Sequence, residues 1–172
     1  SKSSIYKCFN SNLLFHGCIP MEETGEFSNV NILGETLNGK KYFDCIDKVI
    51  RKAYYERELI DKNKDVIDLM WYLWCGPKSP LFGKDKAATF ERYFVIEKET
   101  HTEEKNAYFD LANKEEICNK ILKEFGLEKK NSHIINGHIP VKEKDGESPI
   151  KANGKLLVID GGFAKSYRGQ TR

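Results

Sequence analysis

Two histidines in matching contexts are the residues of this chain best suited to chemistry. Leu13-Leu14-Phe15-His16-Gly17-Cys18-Ile19-Pro20 is an apolar run that ends in an imidazole beside a glycine, with a proline shortly after. His133-Ile134-Ile135-Asn136-Gly137-His138-Ile139-Pro140 repeats that layout. An apolar run of this length reads as a short buried strand. The glycine lets the backbone bend or approach closely, and the proline prevents the strand from continuing. A strand end that delivers a neutral imidazole suits a zinc, manganese or iron ion. Two ligands alone bind a divalent ion weakly, and a carboxylate complement would be needed. Asp160 is the acidic residue in a comparable strand-end position. Paired metal ligands therefore stand beside a plainer alternative, two unrelated histidines in polar turns. The other two of the four histidines are less suggestive. His133, within the apolar run, reads as a hydrogen-bonded core or turn residue. His101 lies in the charged run Glu97 to Glu104 and reads as solvated surface.

The elements that must position these histidines follow from hydrophobic periodicity. Leu13–Phe15, Val30–Leu33, His133–Ile135 and Leu156–Asp160 read as strands, the last ended by Gly161-Gly162. Residues 1–12 show no clear period. Asn38-Gly39 is a hairpin-type turn signal. Apolar residues at 46, 49, 50 and 53 mark a helix with Asp44 as its N-cap. Val66, Ile67, Met70, Trp71 and Trp74 mark a second, which must stop near Cys75-Gly76-Pro77. Its two tryptophans, at helical spacing, read as core rather than as a sugar-stacking platform. A loop punctuated by Pro and Gly follows, and then a helix over the first part of 87–95. Asn113-Lys114-Glu115-Glu116 resembles a capping box before a helix with Ile117, Ile121, Leu122 and Phe125 on one face, closed by Gly126. The expected class is α/β (α+β), with a mostly helical stretch, residues 40–126, between strand-bearing segments 1–39 and 127–172.

Composition narrows the function. The 172 residues are 40% hydrophobic and 31% charged, ordinary for a globular domain with a sizeable core. With 28 basic and 26 acidic residues, bulk charge gives no support for a nucleic-acid or membrane-surface role. No window approaches the roughly 18 apolar residues needed to span a bilayer. The five cysteines, Cys8, Cys18, Cys45, Cys75 and Cys118, are odd in number and widely spaced, which reads as free thiols in a reducing cytoplasm. Cys18 reads as a small buried apolar side chain rather than a nucleophile or ligand. The chain begins without Met and reads as a piece of a longer polypeptide.

The histidine motifs also carry a resemblance. His16-Gly17-Cys18-Ile19-Pro20 resembles the His-Gly-Gly-x-Pro type of motif of calcineurin-like metallophosphoesterases, and Gly137-His138-Ile139-Pro140-Val141 resembles their Gly-His-Thr-Pro-Val motif. Val158-Ile159-Asp160-Gly161-Gly162 is similar to the Ile-Asp-Thr-Gly strand that follows. More narrowly, Asn12–Pro20, Trp71–Lys84 and the run from Asn136 through Gln170 resemble the class III fructose-1,6-bisphosphatases of Firmicutes and related bacteria. That resemblance implies the distal half of a calcineurin-like β-sandwich/α fold with a helical insertion. It implies a cytoplasmic bacterial phosphatase of gluconeogenesis, usually manganese-dependent, that removes the 1-phosphate of fructose 1,6-bisphosphate by two-metal water activation. The superfamily's Asp-x-His, Gly-Asp-x-x-Asp and Gly-Asn-His-Asp/Glu motifs, which supply the rest of the metal site and the general acid, are absent from this sequence. Carried over, His16 and His138 are two ligands of one ion, and no catalytic residue lies in this fragment. Ile139 departs from the usual Thr, and Pro140 stands where some members have a second His.

The implied partners are fructose 1,6-bisphosphate and the rest of the chain's own polypeptide, and the isolated fragment is expected to be inactive. The alternative is a non-catalytic sugar-phosphate-binding or regulatory module. A sugar bisphosphate needs several cations, Arg for bidentate contacts. Lys78, Lys84 and Arg92, around the Pro/Gly loop, are the candidates, with Lys165 and Arg168 behind them.

Overall fold

The computed structural model describes residues 4–55, 64–142 and 145–160. Its centre is a five-stranded mixed sheet in the order β1-β2-β5-β7-β6. These strands are β1 (Tyr6–Phe9), β2 (Asn12–Phe15), β5 (His133–Asn136), β6 (Ile150–Lys151) and β7 (Leu156–Val158). A separate hairpin pairs β3 (Val30–Ile32) with β4 (Glu35–Leu37). The helices are α1 (Gly39–Tyr55), α2 (Lys64–Cys75), α3 (Thr89–Phe94), α4 (Tyr108–Leu111) and α5 (Glu115–Glu124), with 3-10 turns at Lys98–His101 and Ala152–Gly154. The class is mixed α/β, as the residue pattern implied. Among the described residues no helix is long and apolar enough to cross a membrane.

The segment before residue 12, which shows no sequence period, is half of a hairpin. β1 pairs antiparallel with β2 across Asn10-Ser11, both at positive φ. Two such residues make a tight turn whose twist matches the strands. β1 is an edge strand exposed over Lys7–Phe9, so no alternation is imposed on its side chains. The other hairpin turns at Leu33-Gly34, with φ of 51° and 83°, and not at Asn38-Gly39. Asn38 instead accepts the Tyr42 amide at the start of α1, and its side chain donates to Asn29 Oδ1. Asp44 therefore lies inside α1 and is not its N-cap. There it pairs with Lys40 one turn back and accepts from the Tyr6 hydroxyl.

Aromatic edges join the sheet to α1 and α5. Phe43 of α1 sits between Tyr6, Phe15, Phe125 and Tyr42, with ring centroids 5.9–6.3 Å apart and near-perpendicular planes. Such pairs add about 0.5–1.5 kcal/mol each beyond area burial. Cys118, Ile121 and Leu122 give α5 its buried face, and Gly126, at φ +73°, ends the helix turn as expected. The capping box before it does not form. Lys114 is the N-cap without a side-chain bond, and Asn113 donates backward to Phe109 and Asp110 carbonyls at the end of α4.

α2 departs most from its sequence pattern. Only Leu69 and Leu73 are buried, while Trp71 and Trp74 are 65% and 68% exposed. The tryptophans are not core residues of this chain. Helical spacing locates a shared face but does not say which polypeptide covers it.

Candidate metal centre

β2 and β5 are adjacent parallel strands, with Leu13 opposite Ile134 and Leu14 opposite Ile135. Extending that register by two places sets His16 beside Gly137, and the Gly137 amide donates to the His16 carbonyl at 2.9 Å. β7 runs parallel on the far side of β5, with Asn136 opposite Val158. Its continuation brings Asp160 alongside: a Cβ on Gly137 would lie 3.5 Å from that of Asp160. Three strand ends of one polarity thus bring His16, His138 and Asp160 to one edge of the sheet.

The two imidazoles meet directly. His138 Nδ1 and His16 Nε2 are 3.1 Å apart, with ring planes at 80°. At that separation one ring nitrogen donates and the other accepts. The same spacing fits two nitrogens sharing one ion: bonds of about 2.1 Å at a near-right angle put their donors about 3 Å apart. Among the described residues no cluster of three or more His, Cys, Asp or Glu surrounds a common point. The donor set thus fits part of one ion's shell. His138 has φ of +69°. That left-handed conformation is uncommon for a side-chain-bearing residue, although His is among those enriched there. Burial pushes the imidazole of His138 below its ordinary pKa, His16 and Lys84 push it further, and a backbone hydrogen bond to Phe82 with the Asp160 charge acts the other way. The result favours the neutral, ligating form.

The surrounding helices hold this geometry through the loop 76–83. Ser79, fully buried, donates to the Leu73 carbonyl at the end of α2 and accepts from the Leu81 and Phe82 amides. Tyr42 of α1 donates to the Lys78 carbonyl, and Tyr72 of α2 to that of Pro77. The loop then lies on the end of β2. The Cys18 amide donates to the Pro80 carbonyl at 3.0 Å, and a Cβ on Gly17 would stand 2.4 Å from that oxygen. Gly17 is glycine because this backbone crosses it. From the other side, Asn106 accepts from the Met21 and Tyr108 amides and donates its own amide to Gly83. This fixes the start of α4, and Phe109 stacks on the His138 ring with centroids 6.4 Å apart. Asn136 donates to the Gly17 carbonyl and the Tyr108 hydroxyl, joining both histidine-bearing ends to α4. Its Oδ1 has no hydrogen-bond partner among the described residues.

Phe109, Tyr108, Asn136 and the Ser79–Pro80 segment were missed in the sequence. Asn136 precedes the Gly-His pair and could have been flagged. Phe109 and Pro80 reach the site only through the tertiary fold. The three candidate cations are spread and each is ion-paired. Lys78 meets Glu22 at 2.9 Å, while Lys84 and Arg92 share Glu103 at 2.7 and 3.2 Å. Of the three, Lys84 is the cation whose charge bears on His138. His133 donates from Nδ1 to the Gly154 carbonyl, and His101, partly buried and not simply solvated, donates from Nε2 to the Val95 carbonyl. Cys18 is buried, and burial pushes its thiol up to about 12, as suits a packing residue. Lys165, Arg168 and Gly161-Gly162 lie outside the described residues.

Comparisons with known proteins identify relatives of the whole chain. The chain is 57% identical over 171 residues to a fructose-1,6-bisphosphatase class 3 of Clostridium botulinum (strain Loch Maree / Type A3), covering 99% of this chain and 26% of that relative. It is 56% identical, with the same coverage, to the enzyme of that name from Fusobacterium nucleatum, and 57% identical to one from Clostridium beijerinckii. The chain therefore spans about a quarter of the length of the curated relatives it matches. No solved structure matches it. The family model described as Firmicute fructose-1,6-bisphosphatase matches residues 1–172, the whole length over which the two histidine-bearing strand ends, the crossing loop and α4 build one edge, and the chain belongs to that family.

Proposed function

We propose that this chain is part of a cytoplasmic, manganese-dependent phosphatase that removes the 1-phosphate of fructose 1,6-bisphosphate, leaving fructose 6-phosphate. The observation that carries the reading is the 3.1 Å approach of His16 Nε2 to His138 Nδ1 at adjacent parallel strand ends. Family membership and the names of the relatives support the substrate. In this reading the chain is the distal half of a calcineurin-like domain with residues 40–126 inserted, and His16 and His138 hold one of two ions. When bound, such ions polarise phosphoryl oxygens and activate water for attack on phosphorus. His138 serves as a ligand in its neutral form, oriented by Phe109 and Phe82. His16, exposed, supplies the second nitrogen through Nε2.

Lys84 is the cation we place nearest the transferred phosphate, because its charge is felt at His138. Lys78 and Arg92 serve the other phosphate by exchanging Glu22 and Glu103 for it. The test is turnover of fructose 1,6-bisphosphate by the full-length protein with manganese. His16→Ala and His138→Ala should each lower kcat at least about 100-fold, since even groups that merely orient a ligand are worth 10–100-fold. Full activity in both variants would refute the assignment.

A further inference from the structure

Residues 84–105 leave the body of the chain as an arm. Its root is a short antiparallel stalk: Lys84 bridges Lys105, the Asp85 amide donates to the Glu104 carbonyl, and the Glu104 amide donates to Asp85 Oδ1. Glu103, whose side chain is 9% exposed, locks the stalk by accepting from Lys84, Arg92 and the Ala88 amide. The tip is built differently. α3 buries none of its residues, and among the described elements its main packing partner is the arm's own 3-10 turn at Lys98–His101. Phe90, Tyr93, Phe94 and Ile96 are 73%, 80%, 79% and 92% exposed. Phe90 and Phe94 stack on each other with centroids 6.4 Å apart. Large apolar side chains grouped on a surface mark an interaction site.

We propose that this apolar tip is covered, in the full-length protein, by the part of the same polypeptide that completes the metal shell around His16 and His138. The inference rests on the phosphatase reading above. Two observations choose this occupant. The chain spans 26% of its relatives' length, so about three quarters of a full-length relative lies outside the match. The described residues bring no third ligand into a cluster with the two histidines, and a region that completes the shell reaches the same edge of the sheet. The arm is rooted at that edge. Gly83 and Asn106, which begin and end it, are bonded to each other, and their neighbours Phe82 and Phe109 touch His138. A region that docks over the histidines therefore meets the arm beside them. A second copy of this chain would bring only the same two histidines.

The test places the photocrosslinker p-benzoylphenylalanine at Phe94 of the full-length protein, followed by irradiation, denaturing electrophoresis and peptide mapping. The expected product migrates as a single chain and maps to a peptide outside these 172 residues. A product of doubled mass, a cross-link to a peptide within the 172 residues, or no cross-link would each overturn the inference. Manganese-dependent turnover is measured on the same sample before irradiation. An active protein with a doubled-mass product defeats the inference alone. An inactive protein with the intramolecular product defeats the phosphatase reading and leaves the docking surface standing.

Discussion

Gly17 shows how one residue ties the site to the helices. The carbonyl of Pro80 occupies the space a side chain would need, so the loop 76–83 can close on the end of β2 only over a glycine. Gly17→Ala should destabilise the chain by about 1–3 kcal/mol, the usual cost of overpacking. It should lower Tm by about 2–12 °C for a domain of this size. An unchanged Tm in differential scanning calorimetry would show that the loop does not press on this residue. His138 is the other instructive position. Its type and its glycine neighbour were legible in the sequence, because a His-Gly pair at a strand end is a local pattern. Its left-handed backbone and its stacking on Phe109 were not, because both depend on residues brought in by α4 and by the loop after α2.

The elements differ in how far local pattern determined them. α1, α2 and α5 follow hydrophobic periodicity and appear within a few residues of where it places them. The caps and turns do not, because an Asn or Asp side chain that could cap a helix can equally bond elsewhere. Asn113 closes α4 and Asp44 pairs with Lys40. The tryptophans of α2 fail for another reason: periodicity reports an apolar face whether its cover is in this chain or not. The arm's stalk depends on one carboxylate. Hydrogen bonding from Lys84, then from the Ala88 amide, holds the Glu103 carboxyl below its ordinary range against the opposing effect of burial. A depressed folded-state pKa means its contribution is complete above the ordinary carboxylate range. That contribution is lost as pH falls through the lowered value. Glu103→Gln should cost about 1–3 kcal/mol at neutral pH, mainly through Lys84 and Ala88, because Arg92 is half exposed. The cost should shrink as the wild type is acidified below about pH 4. Chemical denaturation of both proteins at neutral and acid pH measures this, and a constant difference between them would contradict the assignment.

At the scale of the whole molecule, the sheet pairs β2 with β5, which lie on either side of the helical stretch in sequence, and the helices between them hold the rim. Two histidines far apart in sequence become neighbours by that topology alone. The same topology leaves the pair as a partial shell. The 172-residue chain on its own should bind manganese no tighter than millimolar and show no turnover of fructose 1,6-bisphosphate, since catalytic metal sites commonly use three or more protein ligands. Isothermal titration with manganese and a phosphate-release assay check both. Tight binding would mean that ligands beyond His16 and His138 are present in this chain.

The central claim is that His16 and His138 jointly hold one ion of a two-metal site. Manganese content per chain of the full-length protein, measured by mass spectrometry after gel filtration, tests it most directly. The wild type should retain two ions per chain, and the His16→Ala/His138→Ala double variant should retain one and lose turnover. A double variant that still holds both ions and turns over at the wild-type rate would contradict the account.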